Sequence, residues 1–233
     1  MEGDKVMRFE DYLLEGVYDP SIFKAIFMCG GSGSGKSYVA GRTTGGHGLK
    51  MVNSDKEFEN TLNILHKEYL KNMLTATPAQ TKEKDIIRKG AKKLTAKFKE
   101  GYLKGRLGLV IDGTGRHYNT IAKQKAELEA MGYDTYMIFV NTSLEVAQQR
   151  NLERPRKLAT DVIEHNYNQV QKNIGKFQSL FGGNSFIVVD INNAKEDVFK
   201  KVWKQVTKMV KRPIVNHVAK AWITAELEAK KRT

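Results

Sequence analysis

A glycine-rich stretch that directly follows an apolar run constrains this sequence more than any other feature. Gly30 to Ser37 reads G-x-x-x-x-G-K-S, and the apolar run Ile22 to Met28 before it predicts a buried strand. Strand, glycine loop and Lys-Ser in this order form the phosphate-binding loop pattern. The backbone N–H groups of such a loop surround a phosphate, and the helix that follows adds the positive end of its dipole. The stretch therefore predicts an α/β fold that binds a nucleotide.

The residues of this loop have expected roles in binding ATP and Mg²⁺. Lys36 is expected to reach the β and γ phosphates, and the hydroxyl of Ser37 is expected to ligate Mg²⁺. A glycine-rich turn that binds nothing is the alternative, but it does not explain why strand, loop, Lys-Ser and helix coincide. The expected nucleotide contacts are Gly30, Gly31, Ser32, Gly33, Ser34, Gly35, Lys36 and Ser37.

Two more predicted strands end in acidic residues. Leu49–Asn53 leads into Ser54 and Asp55, and Leu107–Asp112 is an apolar run that ends in an acid, the Walker B pattern. Ligands bind at the carboxyl ends of the strands in open α/β sheets. Asp55 is therefore our candidate for the base that accepts the proton of an attacking hydroxyl, although Asp55 or Ser54 could instead cap a helix. Asp112 is expected to hold Mg²⁺ through water or to orient the acceptor.

An arginine pair lies further along the chain. Arg150 and Arg154 are four residues apart, so they share one face of a predicted helix. Arginines on a mobile segment can close over ATP and stabilise the charge of the transferring phosphoryl group. We expect Arg150 to contact ATP and both arginines to act in catalysis, as a lid at about residues 150–160; a solvated charged turn is the alternative. Upstream, Thr142 and Glu145 have the spacing of a capping box.

The formal net charge of +13 is concentrated in two segments. Lys82–Arg106 has ten basic and three acidic residues, and Lys195–Thr233 has eleven and four, so each carries +7. Such segments favour a polyanionic partner, or else they are solvated helix faces. On the predicted helix Lys82–Tyr102, Lys89 and Lys93 are expected to contact the acceptor. The apolar positions predicted to face the core are Ile87, Ala91, Leu94, Phe98 and Tyr102.

The 233 residues, 40% of them hydrophobic, are sufficient for one globular domain. Apolar strands that alternate with helical segments predict a three-layer α/β fold around a five-stranded parallel sheet. We expect residues 1–191 to form this domain, with a basic helical insert at about 56–105, and residues 192–233 to form a C-terminal helical extension. Lys56–Leu74 and Asp161–Phe177 are each predicted as one helix.

The sequence also bears on the cellular compartment. Cys29 is the single cysteine, so no disulfide can form within the chain, and a reducing cytosol is the natural compartment. No apolar run is long enough to cross a membrane, and Met1–Gly16 lacks the basic start and apolar stretch of a signal peptide. We therefore expect a cytoplasmic protein that does not bind membranes, and no obligate protein partner is inferred.

Several motifs together resemble the zeta-toxin and bacteriophage polynucleotide kinase group of P-loop kinases. The resemblance spans roughly Ile22 to Phe181 and begins with the phosphate loop. Val52-Asn53-Ser54-Asp55 resembles the strand end that carries the catalytic aspartate of polynucleotide kinase. Arg150-Asn151-Leu152-Glu153-Arg154 resembles the lid of that enzyme, whose second arginine is catalytic.

The turn Ile111-Asp112-Gly113-Thr114-Gly115-Arg116 is more similar to the zeta branch, where an acid-Gly-Thr turn binds a nucleotide sugar. Thr114 and Arg116 are therefore expected to contact the acceptor. Two positions differ from these relatives. Phe58 stands where polynucleotide kinase has an arginine that meets the substrate's phosphate, and Asp112 stands where zeta has glutamate. Phe58 favours a hydroxymethyl group on a modified pyrimidine over a 5′-hydroxyl end.

The resemblance implies a P-loop kinase fold and an ATP- and magnesium-dependent transfer of phosphate to a hydroxyl. Together with the basic segments it favours a nucleic-acid acceptor, DNA before RNA, in a bacterial or phage-infected cell. The acceptor would be the hydroxymethyl group of a base such as 5-hydroxymethyluracil, or a 5′-hydroxyl end. Two alternatives stay open: a small-molecule kinase of zeta-toxin type acting on a nucleotide sugar, and an ATPase switch without a phosphoryl acceptor.

Overall fold

The computed structural model describes residues 16–71, 76–153 and 158–231. At its centre is a single sheet with the strand order β2-β3-β1-β4-β5, in which every paired strand is parallel. The predicted five-stranded parallel α/β fold is confirmed, and all carboxyl ends of the strands lie at one edge of the sheet. The strands are β1 (Lys24–Cys29), β2 (Lys50–Val52), β3 (Leu109–Asp112), β4 (Asp134–Asn141) and β5 (Phe186–Asp190).

Helices cover both faces of the sheet. Short 3₁₀ turns at Glu68–Lys71 and Gly183–Ser185 complete the regular structure of the described residues. The helices are α1 (Lys36–Thr43), α2 (Ser54–Ile64), α3 (Pro78–Lys104), α4 (Tyr118–Ala130), α5 (Leu144–Leu152), α6 (Thr160–Gln171), α7 (Ile174–Phe181), α8 (Glu196–Val210) and α9 (His217–Lys231).

The buried residues of β1 alternate between the two faces of the sheet. Phe27 and Cys29 join the core under α4, α6 and α7, whereas Ile26 and Met28 join the core under α1 and α8. This alternation follows from the two-residue period of a strand and makes the domain three layers thick. In α9, Trp222 packs its ring edge-on against Phe23 at 5.6 Å.

The segment after residue 191 is packed into the same cores. Phe199, Val202 and Val206 of α8 are buried with the strands, and Ala219 of α9 is fully buried. The domain boundary at 191/192 stays a prediction. The two C-terminal helices nevertheless contribute apolar burial to the domain that precedes them.

Two helices are shorter than the sequence indicates. The predicted helix Lys56–Leu74 ends at Ile64, because His66 takes a left-handed backbone with φ of 52°. Lys67 N–H then bonds to Leu62 O at 2.8 Å, which closes a Schellman-type end. Residues 72–74 of that prediction lie outside the described residues.

The predicted helix Asp161–Phe177 is interrupted at Lys172 and Asn173, so it forms α6 and α7. The interruption frees the buried side chain of Asn173 to donate to Gly115 O at 3.0 Å and Arg116 O at 2.9 Å. Asn173, at the break in the helix, thereby anchors the turn after β3.

One capping prediction also changes. Ser143, not Thr142, caps α5, because its hydroxyl accepts from the N–H of Val146 at 3.3 Å. A complete capping box lies instead at Thr77 and Gln80, where it begins α3. None of the helices within the described ranges is both long and apolar enough to cross a membrane.

Candidate active site

The phosphate loop connects β1 to α1 and leaves no room for side chains at two of its glycines. Gly33 and Gly35 have φ of 80° and 77°, which L side chains rarely adopt. A Cβ at Gly33 would collide with the carbonyl oxygen of Ala147, and one at Gly35 would lie 2.6 Å from Ile191 Cδ1. These glycines allow the backbone to turn its N–H groups inward and let neighbouring elements close around it.

The ammonium of Lys36 lies across the mouth of this loop. Its Nζ donates to Gly30 O at 2.8 Å and to Gly31 O at 3.1 Å. Ser37, in the first turn of α1, is exposed, and Ser34 is buried with its Oγ unpartnered among the described residues. The loop thus presents a cation, a helix N-terminus and spare hydroxyls at one place, which suits phosphate.

Arg150 lies against the loop from α5. Its Nη2 donates to Ile191 O at 2.9 Å, whereas Nη1 is buried and unpartnered within the described ranges. Nη1 is also 3.5 Å from the position that a Cβ on Gly35 would take. The structure therefore brings Arg150 to the nucleotide loop, and Arg154 lies outside the described residues.

Asp112, at the end of β3, is held by Asn53 at the end of β2. Asn53 Nδ2 donates to Asp112 Oδ2 at 2.6 Å. Oδ1 of Asp112 is buried and has no hydrogen-bond partner in the part of the chain that the structure describes. Burial of an unsatisfied carboxylate oxygen is costly, so this atom is suited to a cation or a donor from a ligand.

The charges around Asp112 influence one another. Burial raises the pKa of Asp112, the ammonium of Lys36 opposes that shift, and the carboxylate of Asp55 adds to it. The loop lysine and both candidate acids therefore belong to one electrostatic neighbourhood. Cys29 lies in the same neighbourhood, and burial raises the pKa of its thiol to about 12, which keeps it protonated.

Asp55 lies in the first turn of α2 and is exposed. Its Oδ1 forms an ion pair of 2.8 Å with Nη2 of Arg88, which comes from α3. The Arg88 guanidinium also lies 5.6 Å above the ring of Phe58, which is fully buried. Neither Asp55 nor Ser54 caps this helix: Asn53 does, by accepting from the backbone N–H groups of Asp55 and Lys56.

The turn after β3 joins the loop to the other side of the site. Thr114 O accepts from Gly30 N–H at 3.3 Å. Arg116 is oriented by the buried Asn166, whose Oδ1 accepts from Nη1 at 2.7 Å, and its Nε donates to Thr114 Oγ1 at 3.3 Å. Thr114 and Arg116 therefore occupy fixed positions between the phosphate loop and α6.

A cavity of about 280 Å³ lies beside this turn. Its floor is apolar, formed in part by Phe27, Val52 and Ile111, and one wall belongs to α3. Lys89 and Lys93 are exposed and do not line it, so the structure does not bring them to the candidate acceptor site. The polar residues that line it are Ser54, Thr95, Lys99, Asp112, Thr114, Arg116, His117, Thr120 and Gln124.

The oxygen donors at the site match the ligand preference of Mg²⁺. The Ser37 hydroxyl and the free Asp112 oxygen are hard ligands, and Mg²⁺ in kinases takes few protein ligands beside substrate phosphates. The described residues contain no cluster of three or more acidic, histidine or cysteine side chains that could hold a metal.

A profile of the AAA domain family matches residues 26–177, which is more than half of the chain. The chain belongs to the AAA domain family. This match covers the phosphate loop, both candidate acids and Arg150, whereas a search of the curated proteins found no match.

Solved structures share the fold at low identity. A candidate kinase from Chloroflexus aurantiacus matches 80% of this chain and 97% of its own, with 13% identity and a TM-score of 0.55. The PezAT chromosomal toxin–antitoxin system of Streptococcus pneumoniae matches 81% and 88%, with 13% identity and a TM-score of 0.50. The AvrRxo1-ORF1:AvrRxo1-ORF2 complex matches 77% and 63%, at 14% and 0.50. These likenesses show the P-loop kinase-like fold.

Sequence reasoning missed three residues at the site. Asn53 had a recognisable signal, because Asn is a preferred N-cap and directly precedes a helix. Arg88 and Lys99 had none, since their partners are distant in the chain and the rotation of α3 is not evident from its apolar residues.

Proposed function

We propose that this protein is an ATP-dependent kinase that transfers the γ-phosphate of ATP to a hydroxyl on nucleic acid, with DNA preferred to RNA. One observation carries the proposal: Asp112 lines a cavity with a buried oxygen that has no partner among the described residues, and it also feels the charge of Lys36 in the phosphate loop. A nucleotide loop alone is common to many functions. A second cavity at the same strand edge is what an enzyme with an acceptor requires.

On the nucleotide side, we propose that the loop amides, Lys36 and Arg150 bind the phosphates of ATP. Lys36 would exchange its two carbonyl partners for phosphate oxygens, which gains charge-assisted bonds. Mg²⁺ would be held by Ser37 and, directly or through water, by Asp112, and when bound it would neutralise charge on the β and γ phosphates. Arg154 is proposed to stabilise the transferring group, as the resemblance implies.

On the acceptor side, we propose that Asp55 is the base. The acceptor oxygen attacks the γ-phosphorus, the bond from that phosphorus to the β–γ bridging oxygen breaks, and the hydroxyl proton passes to the Asp55 carboxylate. Asp55 suits this role because it is exposed, and its ion pair with Arg88 can exchange for an acceptor. Asp112 suits the metal because it is buried and held by Asn53.

The proposed acceptor is the hydroxymethyl group of a modified pyrimidine such as 5-hydroxymethyluracil, with a 5′-hydroxyl end as the other nucleic-acid possibility. Phe58 is fully buried and cannot bind a terminal phosphate, which favours the base hydroxyl. The apolar cavity floor also suits a flat ring, and the base would have to leave its stack to enter. Thr114 and Arg116 would hold it from the turn.

The test is transfer of γ-³²P from ATP to a panel of acceptors: 5-hydroxymethyluracil DNA, 5′-hydroxyl DNA, the matching RNA and nucleotide sugars. We expect label on DNA, and loss of that label in Lys36→Ala and Asp55→Asn. Lys200→Ala removes an exposed lysine of α8 and should change nothing. ATP hydrolysis that no acceptor accelerates would instead indicate a switch, and absence of label on any nucleic acid would refute the proposal.

A small-molecule kinase is the second candidate, because the cavity of about 280 Å³ lies near the lower end of ordinary ligand pockets. In that case a nucleotide sugar takes the label in the panel. Its binding would depend little on salt, whereas binding of a strand with several phosphate contacts weakens steeply as salt rises.

A further inference from the structure

We propose that one face of α3 is the surface along which the phosphate backbone of the acceptor strand lies. This face carries Arg88, Lys92, Thr95 and Lys99, and we call it the cationic stripe. The inference rests on the proposed function and names the surface that recognises the nucleic acid.

The stripe follows from the geometry of the helix. Positions four, seven and eleven residues after Arg88 return to within about 40° of it around an α-helix, because each residue turns about 100°. Lys92, Thr95 and Lys99 occupy those positions. The three cations therefore form one row along the helix and are not scattered around it.

Contacts at both ends show where this row faces. Arg88 reaches the candidate base, Asp55, through its 2.8 Å ion pair. Thr95 and Lys99 line the cavity. Since the two ends of the row face the base and the cavity, the stripe runs past the point at which the acceptor hydroxyl must lie.

Other lysines of α3 point elsewhere. Lys97 lies two residues from Lys99 and hence on the opposite side of the helix, and Lys82 lies about 120° around the helix from Arg88. Both are exposed, and neither lines the cavity. The helix thus has lysines of equal charge inside and outside the proposed surface.

The stripe matches a strand better than it matches a single anion. Eleven residues of helix span about 16 Å, which is long enough to meet successive phosphates. The exposed ring of Phe98 lies about 100° around the helix from Lys99, and a cationic groove with an aromatic side chain nearby is the combination that binds single-stranded nucleic acid. Partial burial lowers the pKa of Lys99, an effect that a bound phosphate would oppose.

Two matched variants test the surface. Lys92→Gln with Lys99→Gln removes two charges from the stripe, and Lys82→Gln with Lys97→Gln removes two from other faces of α3. Binding of a fluorescent single-stranded DNA is followed by anisotropy across a salt series. We expect the slope of log affinity against log salt to fall by about 1.4 in the stripe variant, at about 0.7 per phosphate contact, and to stay unchanged in the control.

Equal loss in both variants, or no loss in the stripe variant, would overturn the inference. Polyglutamate that competes as well as DNA would also overturn it, because the surface would then not recognise a nucleic-acid backbone. ATP binding should be equal in all variants. If Lys99→Gln does not fold, Lys92→Glu at its exposed position must weaken DNA binding by itself.

The labelled-ATP panel separates this inference from the proposed function. DNA binding that depends on the stripe, without phosphate transfer, would refute the kinase and leave the surface standing. If the stripe variant and the control variant transfer phosphate to DNA equally well, the kinase function stands and the proposed surface is refuted.

Discussion

The nucleotide side and the acceptor side of the candidate active site differ in how much space they leave for an added side-chain atom. On the nucleotide side, a single methyl group at Gly33 or Gly35 would meet backbone or buried side-chain atoms. On the acceptor side, a methyl group at Gly90 or Gly101 of α3 would meet nothing within 4 Å. The phosphate loop is therefore restricted to one backbone conformation. Residues at these positions of α3, in the helical insert, can be substituted without disturbing the loop.

The largest effect is expected for Asp55→Asn. Loss of the proposed general base should lower phosphate transfer by about 100- to 10,000-fold, while ATP binding at the phosphate loop should stay unchanged. Single-turnover transfer and ATP titration measure the two sides separately. Asp85→Asn removes the same charge from an exposed position of α3 and serves as the control. Loss of ATP binding in Asp55→Asn would contradict the division into two sides.

The next largest effect is expected from alanine substitutions at Gly33 in the loop and Gly90 in α3. Gly33→Ala should weaken ATP binding by more than about tenfold, because the new Cβ collides with Ala147 and the left-handed backbone becomes strained. Gly90→Ala should instead stabilise the fold by about 0.5–1 kcal/mol, since it lies in an exposed helix interior. Calorimetric ATP titration and thermal unfolding check both. Equal ATP affinity and equal thermal stability of the two variants would contradict the difference between the loop and α3.

Asn53 contributes to both α2 and Asp112, and a pair of substitutions separates its two roles. Asn53→Ala should cost about 1 kcal/mol of stability through the lost cap, whereas Asn53→Ser keeps a capping oxygen. Both should raise the Mg²⁺ concentration needed for half-maximal transfer, because neither side chain reaches Asp112. Chemical unfolding and a Mg²⁺ titration are the measurements. A normal Mg²⁺ requirement in both variants would remove Asp112 from the metal site.

The smallest effect concerns Cys29, at the end of β1 in the cavity wall. Its buried thiol, with a pKa raised to about 12, stays protonated and should resist iodoacetamide at pH 8 in the native protein. Mass spectrometry should find the adduct only after denaturation. Rapid labelling of the native protein would mean that the cavity opens to solvent more widely than the structure shows.

Much of the nucleotide side could be predicted from the sequence. The loop from Gly30 to Ser37 was recognisable because its glycines and its Lys-Ser pair act within a few residues of one another. The alternation of strands and helices gave the fold class for a similar reason, since periodicity is local. The local sequence did not identify the N-cap residue where several neighbouring residues could cap the same helix. Asn53 caps α2 and Ser143 caps α5, although adjacent residues also have side chains that can cap.

The acceptor side could not be predicted in the same way. Of the apolar positions of α3 predicted to face the core, Ala91 is buried and Ile87 and Tyr102 are partly buried, but the prediction is wrong for Leu94 and Phe98, which are exposed. Because the apolar residues of α3 do not fix its rotation about the helix axis, the sequence predicts Lys89 and Lys93 at the candidate acceptor site, whereas Lys99 lines the cavity.

The sequence by itself determined a phosphate-binding loop on a parallel α/β sheet, because the required backbone angles and the strand pattern are properties of short segments. Only the tertiary structure decided which side chains meet at the candidate active site. The ion pair of Asp55 with Arg88 and the hydrogen bond of Asn53 to Asp112 join residues 33 and 59 positions apart. Such contacts depend on how helices pack against the sheet, and packing is set by the whole domain.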